Sequence, residues 1–389
     1  MTASRTQPLA LYIHWPFCVS KCPYCDFNSH VRDSIDQAAW QAALLADMAH
    51  EAALLPGRRL GSIFFGGGTP SLMPPATVSA LLEAAERHWG FEPDIEITLE
   101  ANPSSVEAAR FGDLARAGVN RVSLGLQALD DETLDFLGRA HDVAEGLAAL
   151  ETAQVAFDRV SFDLIYARPG QSLSAWEAEL RRALSFGTEH LSLYQLVIEP
   201  GTRFATLFAK GALTLPEGDA AADLFDATRS MTAAAGLPAY EISNHARAGA
   251  QSRHNLTYWR YGDYAGIGPG AHGRRLKTAT LRHKKPENWM AAVTRNDHGL
   301  KSEDALDADT RAVEAILMGL RLDEGIDPAR IAQAGDADDA GRWLDTERIA
   351  RLERQGLIAA TPERLRVTQA GMPLLDAILR EVVREPVSA

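Results

Sequence analysis

Cys18, Cys22 and Cys25 are the only thiols in this chain of 389 residues, and they form the loop C-x3-C-x2-C. Thiolate sulfur is the soft, anionic donor that iron–sulfur clusters require. Three thiolates at this spacing can hold three irons of a [4Fe–4S] cluster and leave the fourth iron open to a small chelating molecule. An odd number of clustered thiols does not make a disulfide framework, and a four-ligand zinc site would need His14 or His30 as its fourth member. A second feature is the run Gly66-Gly67-Gly68-Thr69-Pro70. Without side chains its backbone groups can approach a ligand closely, but it lacks the lysine of a phosphate loop, so nucleoside triphosphates are not indicated.

Such residues act only if a scaffold gathers them. Short apolar runs of strand character, at Leu11–Ile13, Ser62–Phe65, Ile95–Leu99, Arg121–Leu126, Val160–Ile165 and Leu191–Leu196, alternate with segments of helical period such as Ala38–Leu54, Ala76–His88 and Leu173–Ser185. Strand then helix, repeated, implies parallel βαβ units. Six units rather than eight predict an α/β fold with an open, partial (β/α)6 TIM-like barrel and a lateral mouth. Ala239–Ser243 reads as an added edge strand. In barrels the chemistry collects at the C-terminal strand ends. There the cysteine loop follows the first strand, the glycine run the second and Glu100-Ala101-Asn102-Pro103 the third. Gln127 closes the fourth, Asp163 lies in the fifth and Tyr194-Gln195 in the sixth. Together they make a single site.

Composition narrows the class. A chain with 46% hydrophobic residues is long enough for a large barrel plus a smaller domain. The first ten residues hold one arginine and no apolar signal region, and no uninterrupted apolar stretch approaches membrane-span length. With so few cysteines and an oxygen-sensitive cluster, a reducing cytoplasm is expected. The formal net charge of −13 opposes broad attraction to nucleic acid. Gly262–Gly273, with glycines at near-alternate positions, reads as tight turns against the barrel mouth. The basic stretch Arg274–Lys285 reads as a solvated linker, one whose charge could also touch porphyrin propionates or lipid headgroups.

The C-terminal part changes character. Thr310–Arg321 and Ala340–Gln355 read as helices, Gly356–Ala360 and Arg364–Thr368 as short strands, followed by a last helix to about Arg384, an α+β winged-helix-like order. Residues 300–389 carry 18 Asp and Glu against 12 Lys and Arg, which opposes DNA phosphate contact and favours covering the barrel mouth or meeting a protein partner. Three segments are expected: a barrel over 1–245, a connecting segment over 246–299, and the C-terminal domain over 300–389.

Tyr12-Ile13-His14-Trp15-Pro16-Phe17-Cys18, Cys22-Pro23-Tyr24-Cys25-Asp26-Phe27-Asn28-Ser29-His30, the Gly66–Pro70 run and Tyr240-Glu241-Ile242-Ser243-Asn244 resemble the HemN/HemW group of radical SAM proteins, over nearly the whole chain. The resemblance implies cluster ligation by Cys18, Cys22 and Cys25, with S-adenosylmethionine at the open iron. It further implies S-adenosylmethionine contacts from Tyr12, Tyr24, Gly67, Gly68, Thr69, Glu100, Gln127, Arg139 and Asp163, the last aligned across a one-residue length difference. Members of the oxygen-independent coproporphyrinogen III oxidase branch carry a further cysteine two residues after the third ligand, where this chain has Phe27, and an N-terminal extension ahead of the first strand. Oxidative decarboxylation of a porphyrin, or radical opening of heme, is therefore the alternative reading. The HemW branch, by similarity, comprises heme chaperones that pass heme to hemoproteins, including membrane-bound respiratory enzymes, which also brings peripheral membrane association into view.

His254-Asn255-Leu256-Thr257-Tyr258-Trp259 resembles the HNxxYW motif associated with heme binding in that branch. Imidazole is a standard axial ligand of heme iron, and Tyr258 and Trp259 offer flat apolar surface to a porphyrin. The same residues would equally suit a loop-structuring histidine beside a packed aromatic pair. His14, His245 and His272 are rival ligands. Heme as cargo, acceptor hemoproteins as partners, no enzymatic residue and an open question of homodimerisation complete the expectation.

Overall fold

The computed structural model describes residues 7–384. The first strand, β1 (Leu9–Trp15), is buried along almost its whole length, as befits a strand covered on both faces. A small parallel pair, β2 (Phe17–Cys18) and β3 (His30–Val31), brackets the cysteine loop. The sheet then continues through β4 (Leu60–Gly67), β5 (Phe91–Ala101), β6 (Arg121–Gln127), β7 (Arg159–Tyr166) and β8 (His190–Gln195), all parallel. These are the six expected strands, each one to four residues longer at an end than the apolar runs. Their helices start where short polar side chains cap them: Asp36 accepts from the Ala39 N–H and Ser172 from the Ala175 N–H.

The remaining strands are β9 (Asn244–Ala246), β10 (Tyr264–Ile267), β11 (His272–Arg275), β12 (Thr278–Arg282) and β13 (Leu300–Ala305). The eleven-stranded sheet has the order β13-β12-β11-β10-β1-β4-β5-β6-β7-β8-β9 and does not close on itself. Its two edges leave the lateral mouth of a partial barrel.

Four local expectations are corrected. The edge strand is Asn244–Ala246, antiparallel to β8, and Ala239 makes only an isolated bridge to His245. The glycine-rich stretch contains β10, a further parallel strand beside β1, where Tyr12 pairs with Gly266. Glycine suits that position because a Cβ on Gly266 would lie 1.8 Å from the His272 carbonyl oxygen. The basic stretch is no solvated linker but the β11–β12 hairpin, with Arg275 and Arg282 buried. They neutralise two buried carboxylates on the inner face of the Gln37–Leu54 helix: Arg282 pairs with Asp47 at 3.2 Å and Glu51 at 2.7 Å, and Arg275 with Glu51 at 2.7 Å. Burial of those charges is sustainable only because each is paired and hydrogen-bonded. Finally, residues 340–355 are not one helix: a 3-10 turn over Ala340–Arg342 ends before Asp345, which caps a new helix, Thr346–Arg354.

Past β13, the last strand of the large sheet, helices Ala308–Gly319, Pro328–Ala334, Thr346–Arg354 and Leu375–Val382 surround the hairpin of β14 (Ile358–Thr361) and β15 (Arg364–Val367). This domain has its own apolar core, against which Phe225, Ile242 and Tyr261 of the preceding chain pack. Hydrogen bonding from Tyr261 to Glu314 and the Arg260–Glu324 pair tie it to the barrel side. Among the described residues, no helix is long and apolar enough to cross a membrane.

Candidate functional site

The C-terminal strand ends do converge. The cysteine loop leaves β1 at Trp15 and lies against the glycine run: Gly68 N–H donates to the Trp15 carbonyl at 2.7 Å and Thr69 N–H to the Phe17 carbonyl at 2.8 Å. A Cβ on Gly68 would sit 2.6 Å from the Phe17 oxygen, and one on Gly67, whose φ is +117°, would meet the His14 ring at 2.6 Å. The close approach that the triple glycine permits is thus made first to the chain's own cysteine loop.

Around the three half-buried thiols the polar groups are ordered. Thr69 Oγ1 donates to Cys18 Sγ at 3.5 Å and Arg139 Nη1 to Cys22 Sγ at 3.4 Å. Arg139 also reaches Asn102 Oδ1 at 2.6 Å and the Gly125 carbonyl at 2.9 Å, while its Nε is buried with no partner among the described residues. Burial pushes the Cys18 and Cys25 thiols up, and the neighbouring thiols push in the same direction. Tyr24 lies in this group, its hydroxyl raised by burial with the Arg139 guanidinium opposing. Asn102, which the sequence placed at the strand end without a role, bridges Arg139 to Thr69 by donating to Thr69 Oγ1 at 3.1 Å.

Next to this cluster stand two half-buried acids. Glu100 accepts from the Gly67 N–H at 3.2 Å, and its carboxyl is pushed up to about 8 by burial and by the Asp163 carboxylate. Asp163 accepts from Ser123 Oγ at 3.2 Å and is raised to about 6, again by burial. Gln127 closes β6 in the left-handed region, with φ 69°, a sparsely populated conformation for a non-glycine residue.

A cavity of about 1000 Å³ opens beside these groups, and Tyr12, Gly67 and Glu100 line it together with Tyr258 and Trp259. Its other walls include Phe27, Ile242 and, from the C-terminal domain, Met318, with Lys21, Arg274 and Lys284 contributing positive charge. Tyr194, expected on the rim, faces it as well, as do Glu241 and Asn244, to which sequence reasoning assigned no site role; the Asn244 side-chain amide donates to Glu241, while its own side-chain oxygen is buried and, among the described residues, unpartnered.

His254 is placed differently from an open ligand. Its ring is 1% exposed, with Nδ1 3.1 Å from Ser62 Oγ and Nε2 hydrogen-bonded to the Tyr258 hydroxyl, and it stacks on Phe64. Burial lowers its pKa to about 3, so it is neutral. Of the rivals, His14 bonds through both nitrogens, to the Tyr12 hydroxyl and the Asn28 carbonyl, each at 2.9 Å; His245 is buried against Thr232; His272 is exposed on the cavity wall. Among the described residues, no three His, Cys, Asp or Glu side chains are grouped as a site for a metal ion.

Comparison with known proteins bears on the fold and the family. Residues 12–183 match the radical SAM superfamily and residues 306–374 the HemN C-terminal domain. The chain is 38% identical over 391 residues to the heme chaperone HemW of Escherichia coli, covering 98% of this chain and all of that protein. It is 39% identical over 387 residues to the mitochondrial radical S-adenosyl methionine domain-containing protein 1 of Bos taurus, covering 97% and 88% of the two chains. The solved coproporphyrinogen III oxidase HemN of Escherichia coli superposes with a TM-score of 0.80 at 25% identity, covering 97% of this chain and 90% of that one. With its partial barrel, cysteine loop and C-terminal domain matched along nearly the full length, the chain belongs to the HemW-type family of radical SAM proteins.

Proposed function

We propose that this protein is a cytoplasmic heme chaperone, which binds heme in the 1000 Å³ cavity and passes it to acceptor hemoproteins, respiratory enzymes among them. The observation that carries the reading is that one cavity reaches from Glu100 and Gly67, beside the cysteine loop, to Tyr258 and Trp259 of the HNxxYW helix, with apolar walls and three cations. A porphyrin needs flat apolar surface for its macrocycle and positive charge for its propionates.

Cys18, Cys22 and Cys25 would hold a [4Fe–4S] cluster, whose open iron supplies a chelation point for the amino and carboxylate groups of S-adenosylmethionine. The donor set fits: Thr69 and Arg139 donate to sulfur, and the buried Arg139 Nε–H, orphaned among the described residues, calls for an anionic partner. Tyr12, Tyr24, Gly67, Gly68, Thr69, Glu100, Gln127, Arg139 and Asp163 would receive S-adenosylmethionine. Glu100 is the cavity-facing acid suited to a ligand hydroxyl or ammonium group, and Asp163 stands behind it. Tyr258 and Trp259 would flank the porphyrin, with His254 as a positioning residue that fixes the Tyr258 hydroxyl through its own bond to Ser62.

The alternative is a radical enzyme acting on a porphyrin, favoured by the likeness to coproporphyrinogen III oxidase and opposed by Phe27 at the position of that branch's additional cysteine. One experiment separates the two. The anaerobically reconstituted protein is titrated with heme and mixed with an apo-hemoprotein; stoichiometric uptake followed by transfer is expected. Conversion of coproporphyrinogen III in the presence of a reductant, without heme transfer, would replace the chaperone reading with the enzymatic one.

A further inference from the structure

We infer that the iron of a heme held in this cavity is ligated by His272, not by His254. This rests on the heme-binding reading of the cavity. Iron takes an imidazole only through a ring nitrogen whose lone pair is free. His254 has both nitrogens engaged, by Ser62 and Tyr258, and its ring does not line the cavity. The histidines that do are His14, His30 and His272. In neutral His14, Nε2–H donates to the Asn28 carbonyl, which leaves Nδ1 to accept the Tyr12 hydroxyl proton, so its lone pair is taken. His30 Nε2–H donates to Asn28 Oδ1 at 3.3 Å, which leaves its Nδ1 lone pair free but ties the ring to the cysteine-loop tail, so His272 is, among the described residues, the cavity histidine with both ring nitrogens unengaged. His272 is exposed at the head of β11, and among the described residues neither of its ring nitrogens has a hydrogen-bond partner.

The backbone that carries His272 is held firmly, as a ligand's must be. Asn28, in the tail of the cysteine loop, donates to the Pro269 carbonyl at 2.8 Å and to the Lys284 carbonyl at 2.9 Å, clamping the chain on both sides of the hairpin. Gly270 N–H donates to His283 and Arg282 N–H to Ala271, at 2.9 and 3.0 Å. At Gly270 the approach to Asn28 is so close that a Cβ would stand 2.5 Å from its amide nitrogen.

Lys21 and Lys284 line the same cavity, as do Asp26, Glu100 and Glu241, and among the described residues neither lysine is paired with a carboxylate. They are available to propionates, which charge-assisted hydrogen bonds would hold near His272. Met318 offers a thioether from the C-terminal domain to the same space.

The test is a titration of the full-length, anaerobically prepared protein with ferric heme, read by Soret absorbance and electron paramagnetic resonance. His272→Ala is expected to weaken heme binding at least about tenfold and to remove the imidazole-ligated signature, which free imidazole should restore. His272→Cys should convert that signature to one of thiolate ligation, and His254→Ala should keep the imidazole signature. Heme spectra indifferent to both His272 substitutions would overturn the assignment while leaving the chaperone reading intact. A parent protein that takes up no heme would overturn both.

Discussion

Replacing Glu100 with glutamine should stabilise the cofactor-free protein, and increasingly so as pH rises. Glu100 lies half-buried beside the Gly67 N–H and near Asp163, and its carboxyl is pushed from an ordinary value of 4.5 up to about 8. Between those limits the folded protein keeps a proton that the unfolded chain has released. Folding stability therefore falls as pH climbs through this window, by about 1.4 kcal/mol per pH unit. Over the full window the penalty reaches ~4–5 kcal/mol, a large share of a typical folding free energy. Glutamine cannot ionise, yet its Oε1 can still accept the Gly67 N–H. The two proteins should match within about 1 kcal/mol at pH 5, whereas at pH 8.5 the Glu100→Gln variant should be more stable by ~3–5 kcal/mol. Urea titrations of both proteins at pH 5, 7 and 8.5, under argon and free of cluster, give the difference directly, and ionisations not coupled to Glu100 cancel in it. A gap that stays constant with pH, or that favours the parent at high pH, would refute the reasoning. The same substitution should weaken S-adenosylmethionine binding, the usual exchange of stability against function at a strained site.

Further outcomes are expected elsewhere in the molecule. Arg282→Met would leave Asp47 and Glu51 facing each other without their buried counter-ion, and should cost about 3–5 kcal/mol in chemical denaturation; a loss under 1 kcal/mol would show that Arg275 alone suffices. Gly68→Val drives a Cβ into the Phe17 carbonyl, so iron bound per chain and S-adenosylmethionine affinity should both drop, the latter more than about tenfold, with far-ultraviolet circular dichroism little changed. Full iron loading in that variant would mean that the cysteine loop can move aside. Cys22→Ala, which leaves no spare thiol in the chain, should abolish the broad visible absorbance of the reconstituted protein, and its retention would remove Cys22 from the ligand set.

The sequence by itself determined the barrel strands and the cluster loop. Both are written locally: β1 and β4 to β8 as apolar runs between helical periods, and the thiols as three residues of one chemical type within a single turn-rich loop. Also legible was that Gly67, Thr69, Glu100, Gln127 and Asp163 share a rim, because consecutive parallel strands present their C-terminal ends together. What only the tertiary structure decided depends on partners distant in the chain. Arg282 looks like a linker cation until Asp47, 235 residues away, is placed against it. Tyr264–Ile267 hides as a strand because close packing against β11 calls for glycine, which sequence patterns read as a turn. His254 carries the motif, yet Ser62, 192 residues earlier, and the Tyr258 hydroxyl occupy its ring nitrogens, while His272 stands open. Residue type tells what a side chain can bind; whether its lone pair is free is set by what the fold puts beside it.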